Sequence, residues 1–351
     1  MNASMNRQTE AAVLVQLSKP LDLRTLSIPP LKAGQVLVEV AYSGVCHSQL
    51  LEVRGKRGPD RFLPHTLGHE GSGTVLEVGP GVTKGRPEDR VVLSWIKGQG
   101  ADVPATVYGS RAGPVNSGAI STFMRRTVTC ENRVTAIPPE MPLREAALLG
   151  CAIPTGAGIV LNTAKVQPGT SVAVFGVGGI GLSAILAASL MSATRIIGID
   201  IFDHKLEQAR AAGATDVINS QNENPVAALH ALTGGVGVDY AIEAAGKRAT
   251  MEAAFRAVRP NGGLCVLAGN LPQGEEIAIN PFDLIRGKQI VGTWGGESNP
   301  DRDIPRFVRL YLAAKLNLEA LITHEYSLPD INAALDDLGQ GRLGRALVSM
   351  M

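Results

Sequence analysis

Two kinds of apolar pattern divide the chain. From Ala11 to about Asn132 the apolar residues come in short β-branched runs: Ala12-Val13-Leu14-Val15, Gln35-Val36-Leu37-Val38-Glu39-Val40, Gly73-Thr74-Val75-Leu76-Glu77-Val78 and Arg90-Val91-Val92-Leu93. Turn residues separate them at Pro29-Pro30, Gly79-Pro80-Gly81 and Arg86-Pro87-Glu88-Asp89. Short strands punctuated in this way predict a compact antiparallel barrel or sandwich. Between Trp95 and Ser121 the text becomes rich in Gly, Ala and Pro, which predicts a long irregular lobe.

At about Gln167 the grammar changes. An apolar run over 171–175 predicts a strand, a glycine-rich turn follows, and 182–192 predicts a helix. Predicted strands over 195–200, 216–219, 238–244 and 264–268 then alternate with predicted helices over 203–212, 225–232 and 249–258. Such alternation indicates parallel βαβ units in a doubly wound sheet with helices on both faces. Helical text returns over 303–316 and 329–339, and a possible strand, Arg345 to Ser349, ends the chain. No internal repeat is visible.

A chain of 351 residues has room for two domains, each with its own core. Its 33 Lys and Arg nearly cancel its 32 Asp and Glu, which argues against nucleic acid or an anionic membrane as the main partner. The 40 glycines exceed the usual share of about 7% and imply many tight turns. Met1 to Glu10 is polar and lacks the apolar run of a signal peptide. No apolar stretch reaches the roughly 20 residues that span a bilayer, and the longest, Gly178 to Ser192, reads as a buried helix. Cys46, Cys130, Cys151 and Cys265 are dispersed and form no CxxC pair, so reduced thiols or metal ligands are expected, in a cytoplasmic protein.

The turn Gly176-Val177-Gly178-Gly179-Ile180-Gly181 sits where a dinucleotide fingerprint requires it, after an apolar strand and before a helix. Gly176 would permit the tight turn, Gly178 the approach of a pyrophosphate, and Gly181 the packing of helix on strand. Asp200 ends the next predicted strand, at the spacing of about 20 residues where a carboxylate bonds an adenosine ribose. It would repel a 2′-phosphate, which predicts NAD over NADP.

Cys46, taken alone, reads as a small buried thiol, and His69 alone as a satisfied core histidine. Taken with Cys151 in Leu149-Gly150-Cys151-Ala152-Ile153-Pro154-Thr155-Gly156, they become two thiolates and an imidazole, which leave one of zinc's four positions open. That set is already known as the catalytic zinc set of alcohol dehydrogenase.

The resemblance goes further. GVCHS, GHEGSGTVLEVGPGV, GCAIPTGAG, VAVFGVGGIGL with RIIGID, and the closing GRLGRALV together resemble the zinc-dependent medium-chain alcohol dehydrogenases, most closely their glutathione-dependent formaldehyde dehydrogenase branch. The resemblance covers nearly the whole chain in order. It implies a GroES-like β-rich catalytic domain (1–153), interrupted by a Rossmann NAD-binding domain (154–294) and completed by 295–351. It also implies oxidation of a small-molecule alcohol to an aldehyde or ketone, with zinc and NAD, by a homodimer or homotetramer.

By that resemblance Cys46, His69 and Cys151 would hold zinc, and Glu70 would be the carboxylate that approaches the metal during ligand exchange. Ser48 would accept the hydroxyl proton, against the plainer reading of a turn hydroxyl. His47 and Arg345 would touch the cofactor pyrophosphate and Lys205 its ribose, where the alternatives are surface or salt-bridged cations. Thr155 and Gly269 fall among the expected cofactor contacts. Trp95 would line the substrate pocket or simply be core.

Three departures matter. Trp95 to Ser121 contains none of the four cysteines of the family's structural zinc, so one catalytic zinc per chain is expected. Gln49 replaces the aspartate that usually orients a ligand histidine. Leu51 replaces the histidine that ends the proton relay in some relatives, so the proton would leave through water or His47. The substrate stays open among simple alcohols, polyol, cyclitol or sugar-linked secondary alcohols, and S-(hydroxymethyl)glutathione. A zinc-free reductase and a non-catalytic dinucleotide-binding protein are the rivals, and the intact ligand set with Ser48 argues against both. His65 is expected on the surface, Cys130 and Cys265 as buried thiols, and His204, His230 and His324 carry no partner signal.

Overall fold

The first strand, Gln8–Leu14, shows why its apolar run lacks alternation. Ala11 and Val13 enter one core, with Leu26, Leu37, Tyr108 and Val115, while Ala12 and Leu14 enter another, with Val36, Val38 and Leu93. A strand buried on both faces has no polar side to alternate with. The computed structural model describes residues 7–351; Met1 to Asn6, part of the polar stretch considered above as a signal-peptide candidate, lie outside the described residues.

The chain divides into two units: residues 1–151, 299–312 and 322–351, and residues 152–298 and 313–321. In the first, strands Gln8–Leu14, Asp22–Ser27, Val107–Ser110, Gly113–Asn116 and His65–Thr66 close a barrel. A seven-stranded sheet is built around Gln35–Val45, which pairs antiparallel with Glu70–Val78, Arg126–Cys130 and Arg345–Ser349. Pairing is mostly antiparallel, as expected. His65 with Asn116 and Ile322–Ser327 with Arg345–Ser349 are the parallel exceptions. The helix Ile331–Gly339 lays Ile331, Ala334 and Leu335 on the sheet core, at the spacing of one helical face.

The stretch expected as an irregular lobe is only partly irregular. Val107–Ser110 and Gly113–Asn116 form a hairpin of the closed barrel, with Tyr108 and Val115 fully buried. The irregular part, residues 95–106, is fastened by hydrogen bonds to side chains outside it. Glu131, 3% exposed, accepts the backbone N–H groups of Thr83, Lys84 and Ala101 at 2.7, 3.1 and 2.9 Å. Asp301 accepts that of Gln99 and pairs with Lys84. The Cys130 thiol accepts Val103 N–H at 3.4 Å and donates to its carbonyl at 3.1 Å.

In the second unit six parallel strands run in the spatial order Asp216–Asn219, Arg195–Asp200, Ser171–Phe175, Tyr240–Glu243, Leu264–Leu267, Gln289–Gly292. The chain order reverses at the central Ser171–Phe175, and a ligand crevice belongs outside the carboxyl ends of the strands at such a point. Helix Gly179–Leu190 follows the glycine turn; it is apolar nearly all round, with Leu182, Ala184, Ile185 and Ala188 at 0% exposure. Among the described residues no single helix is long and apolar enough to cross a membrane. This is the α/β Rossmann sheet combined with a β-rich GroES-like unit that the sequence predicts.

Candidate active site

Three turns of the first unit bring the candidate metal ligands together. Cys46 follows strand Gln35–Val45 and caps helix His47–Val53. His69 precedes strand Glu70–Val78, behind Gly68, whose φ of +92° admits glycine and whose Cβ would meet Thr122 Oγ1 at 2.4 Å. Cys151 ends the short helical turn Ala147–Gly150. The ligand atoms of Cys46, His69 and Cys151 all lie within 4.8 Å of one another, and His69 Nε2 is 3.3 Å from Cys151 Sγ. Zinc bonds of about 2.0–2.3 Å fit such a spacing. Zinc also needs thiolates. A hydrogen bond with Cys151, opposed by burial and aided by the neighbouring His69 and Arg345, holds the Cys46 thiol well below its ordinary range.

Gln49 links two of these residues. Its Oε1 accepts the Cys46 backbone N–H at 2.9 Å, and its Nε2 lies 2.7 Å from His69 Nδ1. Ser48 Oγ is 3.4 Å from the same nitrogen and keeps some solvent access, while His47 is exposed. Leu51 is half-buried on the same helix.

Glu70 and Arg345 form a buried ion pair, and Arg345 also faces the Cys46 thiol. Glu70 is packed between two glycines: a Cβ on Gly44 would meet its Oε1 at 2.2 Å, and one on Gly150 its Cβ at 2.7 Å. Arg345, expected as a pyrophosphate contact, is therefore only 5% exposed and occupied inside the first unit. Burial lowers its pKa and the facing Cys46 thiolate opposes that.

In the second unit the glycines of the turn separate by role. Gly176 has a φ of +89°, and a Cβ there would meet Ala245 N at 2.7 Å. Gly181 packs helix on strand, since its Cβ would lie 2.0 Å from Gly176 O. A Cβ on Gly178 would meet nothing within 4 Å, so the backbone there is open to a ligand while Gly179 starts the helix. The open cradle fits a pyrophosphate. Ile180 is pressed by its carbonyl against Gly156. Asp200 Oδ1 accepts Ile201 N–H at 2.8 Å, and its Oδ2 accepts Val177 N–H at 2.8 Å. Lys205 Nζ sits 5.2 Å over the Phe202 ring. The Thr155 hydroxyl is buried with no hydrogen-bond partner among the described residues, an atom that a bound cofactor could satisfy. Gly269 is packed against Gly246 and Glu243.

His65 corrects an expectation. It is buried, not on the surface: Nε2 lies 2.8 Å from Asp60 Oδ2 and Nδ1 3.1 Å from the Thr66 carbonyl. The short strand His65–Thr66 turns its ring inward, which the irregular text around it conceals. Trp95 packs partly buried against the core of the seven-stranded sheet. Cys130 and Cys265 are buried, and burial pushes the Cys265 thiol up to about 12.

Sequence reasoning missed Glu243. It ends strand Tyr240–Glu243, fully buried, and its Oε1 accepts the N–H groups of Ala245 and Gly246 and the Thr250 hydroxyl. Burial pushes this carboxyl up against those bonds. It thereby fixes the loop that packs on Gly176 and Gly269. A carboxylate ending an apolar strand, as at Asp200, was the available signal.

Residues 32–139 match the alcohol dehydrogenase GroES-like domain, and residues 179–313 the zinc-binding dehydrogenase domain. The chain is 34% identical to S-(hydroxymethyl)glutathione dehydrogenase of Synechocystis sp. across 97% of this chain and 99% of that protein. Among solved structures it is similar to an alcohol dehydrogenase zinc-binding domain protein from Burkholderia ambifaria (TM-score 0.91, 32% identity, 98% and 99% of the two chains). Benzyl alcohol dehydrogenase from Acinetobacter calcoaceticus is also similar (TM-score 0.89, 30% identity, 98% and 99%). A likeness that spans both units from end to end, together with the converging ligand set, places the chain in the zinc-dependent medium-chain alcohol dehydrogenase family, as an oxidoreductase acting on CH–OH groups with zinc and a nicotinamide dinucleotide.

Proposed function

We propose that this chain reversibly oxidises a small alcohol to an aldehyde or ketone with NAD, using one catalytic zinc held by Cys46, His69 and Cys151. The observation that carries this reading is the convergence of those three ligand atoms within 4.8 Å in one unit. When bound, zinc supplies Lewis-acid polarisation of the alcohol oxygen, and the dinucleotide supplies the hydride acceptor.

The chain's own residues do the rest. Ser48 takes the hydroxyl proton; its partial exposure lets the proton pass to water or to the exposed His47, since Leu51 cannot carry it. Gln49 orients His69 from behind. Glu70 is the reserve carboxylate near the metal, held off by Arg345. Gly178 and the helix N-terminus receive the pyrophosphate; of the two cations named by the resemblance, His47 is exposed, whereas Arg345 is taken up by Glu70. Asp200 prefers the ribose hydroxyls of NAD to the phosphate of NADP, and Lys205 lies in the first turn of the helix that follows, the ribose contact named by the resemblance. Thr155 offers its unpaired hydroxyl to the cofactor, and Gly269 keeps the neighbouring loop close.

The expectation of one zinc per chain is supported by the lack of cysteines over residues 95–121, where Glu131, Asp301 and Cys130 supply acceptors to residues 95–106. A homodimer or homotetramer is supported by the strand Gln289–Gly292, which lies at the edge of its sheet among the described residues and is flanked by exposed Ile285 and Trp294. Such an unpaired edge is a template for a second strand. Four free cysteines suit a reducing cytoplasm.

The test is an NAD- and NADP-reduction screen over benzyl alcohol, 2,3-butanediol, a cyclitol and S-(hydroxymethyl)glutathione. Turnover with NAD on at least one of them is expected. Zinc-loaded protein that turns over none of them, or prefers NADP, contradicts the reading.

A further inference from the structure

Between Cys46 and His69 the hydrogen-bond count changes when a metal enters. As the structure stands, Gln49 satisfies both sides: its carbonyl accepts Cys46 N–H and its NH2 faces His69 Nδ1 at 2.7 Å. That contact needs a lone pair on Nδ1. Donation by that NH2 thus corresponds to the tautomer with its ring proton on Nε2, which faces Cys151 Sγ 3.3 Å away. The proton occupies the position from which a metal would be bound.

A metal ligated by Nε2 requires the other tautomer, with the proton on Nδ1. Two N–H donors, those of His69 Nδ1 and the Cys46 backbone, then converge on one amide. An amide has a single acceptor oxygen. Whichever way it is turned, one donor faces an NH2 group, and Gln49 is 2% exposed, so little water is at hand to help. Ser48 Oγ, at 3.4 Å, is too far to replace a 2.7 Å bond.

We infer that Gln49 is a positioning residue that favours the metal-free tautomer of His69, so that zinc loading breaks one of the two bonds Gln49 makes and zinc is held less tightly than these ligands allow. This rests on the ligand assignment proposed above. A carboxylate of the same length would accept both donors. Gln49→Glu should therefore slow zinc release to a chromogenic chelator by about 10–100-fold, the scale of such outer contacts. Gln49→Met, which keeps the length and offers no acceptor, should release zinc faster than the parent.

A second measurement does not depend on the variants folding. In wild-type protein labelled with 15N-histidine, the metal-free His69 ring should carry its proton on Nε2, and the zinc-loaded ring on Nδ1. Equal release rates for the parent and Gln49→Glu overturn the inference, as does a metal-free ring already protonated on Nδ1 or a loaded ring with no proton there. In these cases the ligand assignment survives if zinc is still bound and is lost on Cys151→Ser. Wild-type protein that takes up no zinc removes the ligand assignment and, with it, this inference.

Discussion

Asp200 Oδ2 accepts the backbone N–H of Val177 at 2.8 Å, which ties the end of the second strand of the Rossmann sheet to the middle of its glycine turn. The carboxylate is thus fixed beside the residue that precedes the open cradle at Gly178. In the proposed reading, replacing it with alanine removes both the acceptor for ribose hydroxyls and the charge that repels a 2′-phosphate. Asp200→Ala should raise KM for NAD by about 10–100-fold, the equivalent of one or two charged hydrogen bonds, and narrow the preference over NADP. Steady-state kinetics with both cofactors measures this.

The glycines of the turn should respond differently to the same substitution. Gly178→Ala adds a methyl group that meets no protein atom within 4 Å, so the melting temperature should hold while dinucleotide affinity falls. Gly181→Ala places that methyl 2.0 Å from Gly176 O and should destabilise the fold by about 1–3 kcal/mol. Calorimetric titration with NAD, paired with thermal melts, separates the two outcomes.

Ser48 is the proton acceptor in the proposed mechanism. Ser48→Ala should lower kcat by about 10²–10⁴-fold, the usual worth of a positioned acid–base group, with zinc content unchanged. Unchanged kcat would return Ser48 to the role of a turn hydroxyl.

Glu131 predicts an acid-sensitive lobe. Burial pushes its carboxyl up, but the N–H groups of Thr83, Ala101 and Lys84 together outweigh that and leave it below the ordinary glutamate range. A depressed folded pKa gives stabilisation that is complete above the unfolded value, about 4.3, and is lost as pH falls below it through the folded value. Amide exchange at Thr83, Lys84 and Ala101 should therefore accelerate selectively as pH falls below about 4.3, after correction for intrinsic exchange. In Glu131→Gln the same amides should exchange fast already at pH 7.

The strand–helix alternation after Gln167 made the doubly wound sheet legible, because parallel strands such as Ser171–Phe175 are buried on both faces and read as unbroken apolar runs. The hairpin over Val107–Ser110 and Gly113–Asn116 was not legible. Its strands have four residues each, and only Tyr108 and Val115 point to a core, too few to show a period among Gly and Pro. Cys46, His69 and Cys151 could be picked out by residue type and motif. Their meeting depends on three turns far apart in the chain, and nothing local encodes that. Arg345 could be recognised as important, but its burial against Glu70 could not, since the space its partner Glu70 fills is left by glycines at positions 44 and 150. His65 was misplaced for the same kind of reason, because its partner Asp60 belongs to a loop without periodicity.

Zinc content, measured by mass spectrometry on the wild-type protein and on Cys151→Ser, tests the ligand assignment directly. The proposed reading predicts about one zinc per wild-type chain, held by Cys46, His69 and Cys151 with a fourth position open, and its loss in the variant. A wild-type chain without zinc, or a variant that retains it in full, would contradict the assignment of Cys46, His69 and Cys151.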